Sequence, residues 1–199
     1  MAKPRLWNLP NLLTVSRIVM TAGLVGAMSV GGAVGFAWAL GLFALASVTD
    51  FLDGYLARKW GLISNFGKLM DPLADKVLVL AAFLLLSVQG AVPAWITVVL
   101  LTRELLVTGL RSLAAERGEV LPADHWGKVK TVVQVVCVLF WLSALAFQGM
   151  KEALVWGLGN GLLAVTLLAT VGSGFNYLWK SRSLFLEREN EGESKGSGT

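Results

Sequence analysis

The sequence has little charge, little cysteine and little histidine, and each shortage excludes a class of protein. Charged residues make up 15% of the 199 residues, whereas a water-soluble domain carries about 25%. Hydrophobic residues make up 55% and the mean hydropathy is +0.67, so much of the surface is expected to face lipid. One cysteine, Cys137, cannot form an internal disulfide, and one histidine, His125, leaves no Cys and His cluster for a soft metal.

Six long apolar segments predict six transmembrane helices, since a spanning helix needs about 20 mostly apolar residues. The segments are Leu12–Val30, Ala33–Trp60, Asp71–Gln89, Val92–Ala115, Trp126–Phe147 and Lys151–Trp179. The chain is therefore expected to be an all-α polytopic membrane domain over residues 1–186. A polar tail rich in Glu, Gly and Ser follows over residues 187–199 and is expected to be disordered.

Basic residues concentrate in the connections on one side of these segments. The connections on the opposite side hold Lys151 alone, and the positive-inside rule then predicts that both termini are cytoplasmic. This orientation also explains the net charge of +4 without a nucleic-acid partner. Tryptophans near the segment ends indicate an aromatic belt at each interface. They are Trp7, Trp60, Trp126 and Trp179 on the cytoplasmic side and Trp38, Trp95, Trp141 and Trp156 toward the far side.

Four aspartates interrupt the second and third segments at helical spacing. Asp50 and Asp53 are three residues apart, and Asp71 and Asp75 are four apart, so each pair shares one helix face. Charges at membrane depth are costly and usually functional. Four carboxylates on neighbouring helices repel one another unless cations neutralise them, and oxygen ligands suit Mg²⁺, Mn²⁺ or Ca²⁺.

The residues around the aspartates favour chemistry at phosphorus. Two divalent ions about 3.5–4 Å apart commonly clamp the oxygens in such a displacement. Gly54 and Ala57 share the face of Asp50 and leave room for a nucleotide or phosphate near the helix backbone. Arg58 follows one turn on, and its planar guanidinium suits phosphate oxygens.

Other interpretations of the acidic residues remain open from the residues alone. Asp71 before Pro72 is typical of a helix N-cap followed by proline in the first turn. An ion pair with Arg58 or Lys76 would account for one aspartate of the second segment. A divalent-cation transporter would also carry acids at membrane depth, although the half of the membrane away from the cluster lacks the charged residues of a complete path.

Residues 50–75 spell D-x2-D-G-x2-A-R-x8-G-x3-D-x3-D, which resembles the signature of the CDP-alcohol phosphatidyltransferase family. The resemblance implies six transmembrane helices, a homodimer, two Mg²⁺ or Mn²⁺ ions and a hydroxyl nucleophile that displaces CMP. It implies metal binding by Asp50, Asp53, Asp71 and Asp75. It further implies that Asp75 is the general base for the acceptor hydroxyl, unless Asp75 is a metal ligand only. The implied CDP site consists of Asp50, Asp53, Gly54, Ala57, Arg58 and Gly67.

A second, basic set of residues addresses the acceptor alcohol. It consists of Arg103, Arg111, Lys128 and Lys130, which come from two segments on the predicted cytoplasmic side. Their convergence predicts a phosphate site, and therefore a phosphorylated alcohol. Orientation anchors, or an ion pair between Arg103 and Glu104, are the alternatives. Asn11, Thr14 and Arg17 are expected either to border the site or to serve the first helix structurally.

The strings RELLVTGLR (103–111), GKVKT (127–131) and PNLLTVSR (10–17) resemble the bacterial phosphatidylglycerophosphate synthases of this family. That resemblance implies transfer from CDP-diacylglycerol to sn-glycerol 3-phosphate, in the bacterial inner membrane with the site facing the cytoplasm. Inositol phosphate, or phosphatidylglycerol as in cardiolipin synthase, are the alternative acceptors. A proline is often found shortly after the position of Arg17, and alanine is common at the position of Thr102, so the chain departs from the pattern at both places.

Overall fold

The computed structural model describes the backbone of residues 9–60, 65–116, 125–147 and 152–182. Side chains are described for residues 15–51, 76–116, 127–147 and 152–182. Every regular element in these ranges is an α-helix, which confirms the all-α prediction for this part of the chain. The helices are α1 (Leu9–Val30), α2 (Gly32–Trp60), α3 (Asn65–Val88), α4 (Ala94–Glu116), α5 (His125–Ala146) and α6 (Glu152–Lys180).

The start of α3 differs from the sequence prediction. The helix begins at Asn65, so Gly67 lies in its first turn and Asp71 and Pro72 lie inside it. The interpretation of Asp71 as an N-cap is therefore wrong. A proline within a helix removes one backbone hydrogen bond, here to the carbonyl of Lys68, and can kink the helix without ending it.

Glycines make the two short connections described between helices. Gly31 and Gly32 have φ values of 69° and 67°, and Gly90 in the α3–α4 turn has 74°, a region that L-residues with side chains rarely adopt. Gly35 lies against α1, where an added Cβ would stand 2.6 Å from the carbonyl oxygen of Ala27. These residues allow α1 and α2 to turn back on each other at close range.

The core is formed mainly by α1, α2, α3 and α5, and α4 and α6 add a few residues to it. Phe43, Phe83 and Leu142 are fully buried at its centre. The outward faces are also apolar: Phe51 and Leu168 are among many large hydrophobic side chains left exposed, and an apolar surface of this extent is typical of contact with lipid. Three helical stretches of the described chain are long and apolar enough to cross a membrane: Gly32–Phe51, Gly127–Ala146 and Glu152–Lys180.

Trp141 departs from the predicted aromatic belt. Its side chain is 2% exposed, and it contacts Trp156 with ring centroids 5.3 Å apart. Gly159 makes room for it, since a Cβ there would overlap the indole ring. Trp141 is therefore a core residue that joins α5 to α6, whereas Trp38 and Trp95 are exposed, as a belt residue should be.

The two ends of the bundle differ in chemistry. At one end, Gln89, Trp156 and Glu152 border a cavity of about 390 Å³ between the α3–α4 turn and the start of α6. At the other end, α1, α2, α3, α4 and α5 bring charged side chains together. The candidate active site lies at this second, charged end.

Candidate active site

A cavity of about 230 Å³ opens at the charged end of the bundle. Each of the helices α1 to α5 contributes to its lining, and residues that are far apart in sequence meet there. Its charged lining residues are Arg17, Asp50, Lys76, Glu104, Arg111 and Lys130. The remaining lining residues include the polar side chains of Ser47, Thr131 and Gln134.

Arg17 and Asp50 form an ion pair between α1 and α2. The Arg17 Nη2 atom lies 2.6 Å from Asp50 Oδ1. Arg17 is 3% exposed, whereas the side chain of Asp50 is 41% exposed toward the cavity. A charge-assisted contact of this length fixes the carboxylate. Arg17 therefore orients Asp50, a role more specific than the site border expected from the sequence, and the side chain of Arg58, one of the partners proposed from spacing, lies outside the described residues.

Glu104 is the second acid of the cavity, and it binds two of the basic residues predicted to hold phosphate. Its Oε1 atom accepts from Lys130 Nζ on α5 and, at 3.0 Å, from Arg103 Nη1. Glu104 and Lys130 are both buried. Because an isolated charge is expensive to bury, Glu104 is the counterion that lets Lys130 lie inside the bundle.

Arg103 and Arg111 bracket a tyrosine of α6. Their guanidinium carbons lie 5.8 Å and 6.0 Å from the centre of the Tyr177 ring, within the range of a cation–π contact. Arg111 also lines the charged cavity, whereas Arg103 lines a separate, mainly apolar cavity of about 330 Å³ between α4 and α6. Lys128 is exposed on α5. Of the four predicted phosphate-binding residues, the structure brings Arg111 and Lys130 to the cavity.

Lys76 was not among the site residues predicted from the sequence. It lies on α3, lines the cavity, and donates a hydrogen bond to Thr108 Oγ1 on α4. Its position immediately after Asp75, at the end of the acidic motif, is the signal that could have identified it. Glu104 was considered only as a partner of Arg103, and nothing in the sequence pointed to Tyr177.

Most of the acidic motif lies outside the described side chains. This applies to Asp53, Gly54, Ala57, Arg58, Gly67, Asp71 and Asp75, and also to Asn11 and Thr14. Their backbones belong to α1, α2 and α3. Within the side chains that are described, no three Asp, Glu, His or Cys residues form a group suited to a metal ion.

The first residue of the motif and the residue that follows its last one nevertheless lie at the same cavity. Asp50 opens the motif on α2, and Lys76 directly follows its last residue on α3. Both line the same cavity. Asp50 presents a partly exposed carboxylate oxygen donor there, which is the donor chemistry that Mg²⁺ and Mn²⁺ prefer. Asp50 is therefore the one described residue of the motif that offers such a donor, and the other three aspartates lie outside the described side chains.

Comparisons with known proteins identify the family of the chain. A family model described as CDP-alcohol phosphatidyltransferase matches residues 7–172. A Bacillus subtilis protein named CDP-diacylglycerol–glycerol-3-phosphate 3-phosphatidyltransferase is 40% identical over 189 residues, covering 88% of this chain and 96% of its own length. A Mycobacterium tuberculosis protein named probable phosphatidylglycerophosphate synthase is 40% identical over 181 residues (88% and 82%). A Rickettsia felis protein with the same name as the Bacillus protein is 33% identical over 180 residues (89% and 97%).

Proposed function

The chain belongs to the CDP-alcohol phosphatidyltransferase family, and we propose that it transfers the phosphatidyl group of CDP-diacylglycerol to sn-glycerol 3-phosphate. The products are phosphatidylglycerol phosphate and CMP. One observation carries the proposal beyond family membership: Asp50 of the acidic motif and the basic residues Arg111 and Lys130 line a single cavity. A CDP-activated lipid and a phosphorylated alcohol could therefore meet there. The names of the relatives support this choice of donor and acceptor.

The reaction exchanges one P–O bond for another. A hydroxyl oxygen of glycerol 3-phosphate attacks the phosphorus that bears the diacylglycerol group, and the bond from that phosphorus to the CMP oxygen breaks. Asp75 accepts the hydroxyl proton as general base. CMP leaves with the electron pair of the broken bond.

Asp50, Asp53, Asp71 and Asp75 are the residues proposed to hold two Mg²⁺ or Mn²⁺ ions. When bound, the ions supply positive charge that stabilises the diphosphate and the leaving CMP. Asp50, Asp53, Gly54, Ala57, Arg58 and Gly67 are proposed to form the CDP site. Arg17 holds the Asp50 carboxylate at one of its oxygens, so the first residue of the motif is oriented before substrates arrive.

The acceptor phosphate is assigned to the basic residues around Glu104. Arg111 and Lys130 line the cavity and are the residues proposed to contact the phosphate directly. Arg103 is bound to Glu104 and lies over Tyr177. It adds positive electrostatic potential to the site through its contact with Glu104. Lys128 is exposed on the same helix as Lys130 and attracts the anionic substrate to the entrance.

We further propose that all six helices span the membrane, with both termini in the cytoplasm. The apolar outer faces and the basic connections on one side support this orientation. The site then faces the cytoplasm of a bacterial cell, in the inner membrane, where its water-soluble acceptor is found. Residues 1–186 form the membrane domain, residues 187–199 a polar tail, and two copies form a homodimer.

A radiolabel assay tests the function. Purified protein in detergent receives CDP-diacylglycerol, labelled glycerol 3-phosphate and Mg²⁺, and the label is followed into the lipid fraction. We expect labelled phosphatidylglycerol phosphate and an equal amount of CMP. Parallel reactions contain inositol phosphate or phosphatidylglycerol as the acceptor. Incorporation of either one in place of glycerol 3-phosphate would refute the proposed acceptor, and the absence of CMP release with every acceptor would refute the reaction.

A further inference from the structure

We propose that Lys76 is a third binding residue for the phosphate of the acceptor, an inference that rests on the proposed function. Lys76 lines the same cavity as Arg111 and Lys130. The three residues come from α3, α4 and α5 respectively, so one basic side chain from each of three helices borders the same space. Phosphate binding by several convergent cations is the usual arrangement in proteins.

Thr108 positions the Lys76 ammonium group. The Thr108 hydroxyl donates to the backbone carbonyl oxygen of Glu104 at 2.7 Å, and its oxygen accepts from Lys76 Nζ. Because its own proton is committed to the carbonyl, the hydroxyl offers a lone pair to the ammonium. An ammonium has three N–H donors, so the bond to Thr108 is compatible with another bond to a phosphate oxygen.

The described lining of the cavity holds more basic than acidic side chains, which favours an anionic ligand. Among the described residues, four basic and two acidic side chains line it. The acids Asp50 and Glu104 contact Arg17 and Lys130. The lining therefore carries two positive charges more than negative ones, whereas a phosphate monoester carries about −1.5 to −2 charges at pH 7. Lys76 supplies one of the four positive charges in this balance.

The direction of the side chain favours the acceptor over the diphosphate of the lipid donor. Lys76 lies next to Asp75 in sequence, so either substrate could be close to its backbone. Its Nζ, however, contacts Thr108 on α4, one turn from both Glu104 and Arg111. The ammonium therefore lies on the side of the cavity that holds the predicted acceptor residues.

The test measures KM for each substrate separately in Lys76→Met. Loss of one charge-assisted contact should raise KM for glycerol 3-phosphate roughly 10- to 100-fold and leave KM for CDP-diacylglycerol unchanged. Lys76→Arg retains the charge and should recover part of the loss. Val77→Ala, at an exposed neighbouring position of α3, is the matched control and should behave as the unchanged protein. Equilibrium binding of labelled glycerol 3-phosphate to the purified variants gives a second readout that does not depend on turnover.

Thr108→Val provides an independent test of the same site. Valine keeps the shape of threonine but cannot accept from Lys76, so KM for glycerol 3-phosphate should rise roughly 2- to 10-fold. This variant carries the test if Lys76→Met does not fold. An unchanged KM for glycerol 3-phosphate, or an equal or larger rise for CDP-diacylglycerol, would overturn the assignment. If the unchanged protein does not use glycerol 3-phosphate at all, the proposed function fails instead.

Discussion

Replacing Glu104 by glutamine removes the negative charge that two basic residues share inside the bundle. Lys130 is 5% exposed and Glu104 7% exposed, and the Arg103 guanidinium lies 3.0 Å from the same carboxylate oxygen. In Glu104→Gln the shape is retained, but Lys130 and Arg103 lose their shared counterion. Because both side chains are almost fully buried, water compensates for only part of that loss, and the variant should be less stable than the unchanged protein.

The expected loss is large because one partner of a buried ion pair is removed and the other stays. Such changes cost about 3–5 kcal/mol, and we expect about 3 kcal/mol because the glutamine oxygen still accepts a hydrogen bond. The double variant Glu104→Gln with Lys130→Met removes both charges of the closest contact. It should be more stable than the sum of the single variants predicts, by roughly 1–3 kcal/mol.

The assay is unfolding by SDS in mixed micelles, followed by tryptophan fluorescence, with the free energy of unfolding as the measured quantity. Glu116→Gln is the matched control, because it is the same substitution at an exposed position of α4. Lys128→Met serves in the same way for Lys130→Met, since Lys128 is exposed on α5. A loss of unfolding free energy in Glu104→Gln no larger than that in Glu116→Gln would refute the assignment of Glu104 as the counterion of Lys130 and Arg103.

Three further predictions follow from the acidic motif and from the packing of α5 on α6. Asp50→Asn should lower CMP release by a factor on the order of 100 or more, the loss typical of removing a group that stabilises developing charge; CMP release close to that of the unchanged protein would remove Asp50 from the site. Chelation with EDTA should abolish transfer, and added Mg²⁺ or Mn²⁺ should restore it in the lipid-product assay; full activity in EDTA would contradict the metal proposal. Gly159→Ala should lower the free energy of unfolding by about 1–3 kcal/mol through overlap with Trp141, whereas Gly157→Ala, where a Cβ meets nothing within 4 Å, should not; equal values for the two variants would show that the overlap is relieved without cost.

The sequence predicted most of the fold because apolar length decides where a membrane helix can form. Predicted and observed ends agree within a few residues for five helices. The remaining helix, α3, begins at Asn65 instead of Asp71, because proline at position 72 disfavours a continuous helix without forbidding it. Trp141 was misplaced for another reason: the residue that receives its ring, Gly159, lies on a different helix, and no pattern within one segment reveals which face a partner helix will cover.

The sequence predicted part of the site, and helix geometry explains why it did not predict the rest. Arg103 and Arg111 are eight residues apart, which corresponds to about 80° around a helix of 3.6 residues per turn. With that separation, both residues could be predicted from the sequence to bind the same phosphate. In the structure it lets them lie over the same Tyr177 ring while only Arg111 lines the charged cavity. The partners Arg17 with Asp50, and Lys130 with Glu104, depend on how α1, α2, α4 and α5 pack, and spacing along one segment carries no such information.

The pairing of charges explains how a basic pocket can exist at this depth before any substrate binds. Isolated cations within a bundle are costly, and the described residues meet this cost with Asp50 beside Arg17 and Glu104 beside Lys130. Both pairs join different helices, so they also align the helices that border the cavity. Among the described lining residues, basic side chains outnumber acidic ones by two, and the phosphate of a phosphorylated acceptor would offset this excess. We therefore expect these described cations to contribute to a preference for a phosphorylated alcohol, and removing either Lys76 or Arg111 should raise KM for glycerol 3-phosphate even if the aspartates remain intact.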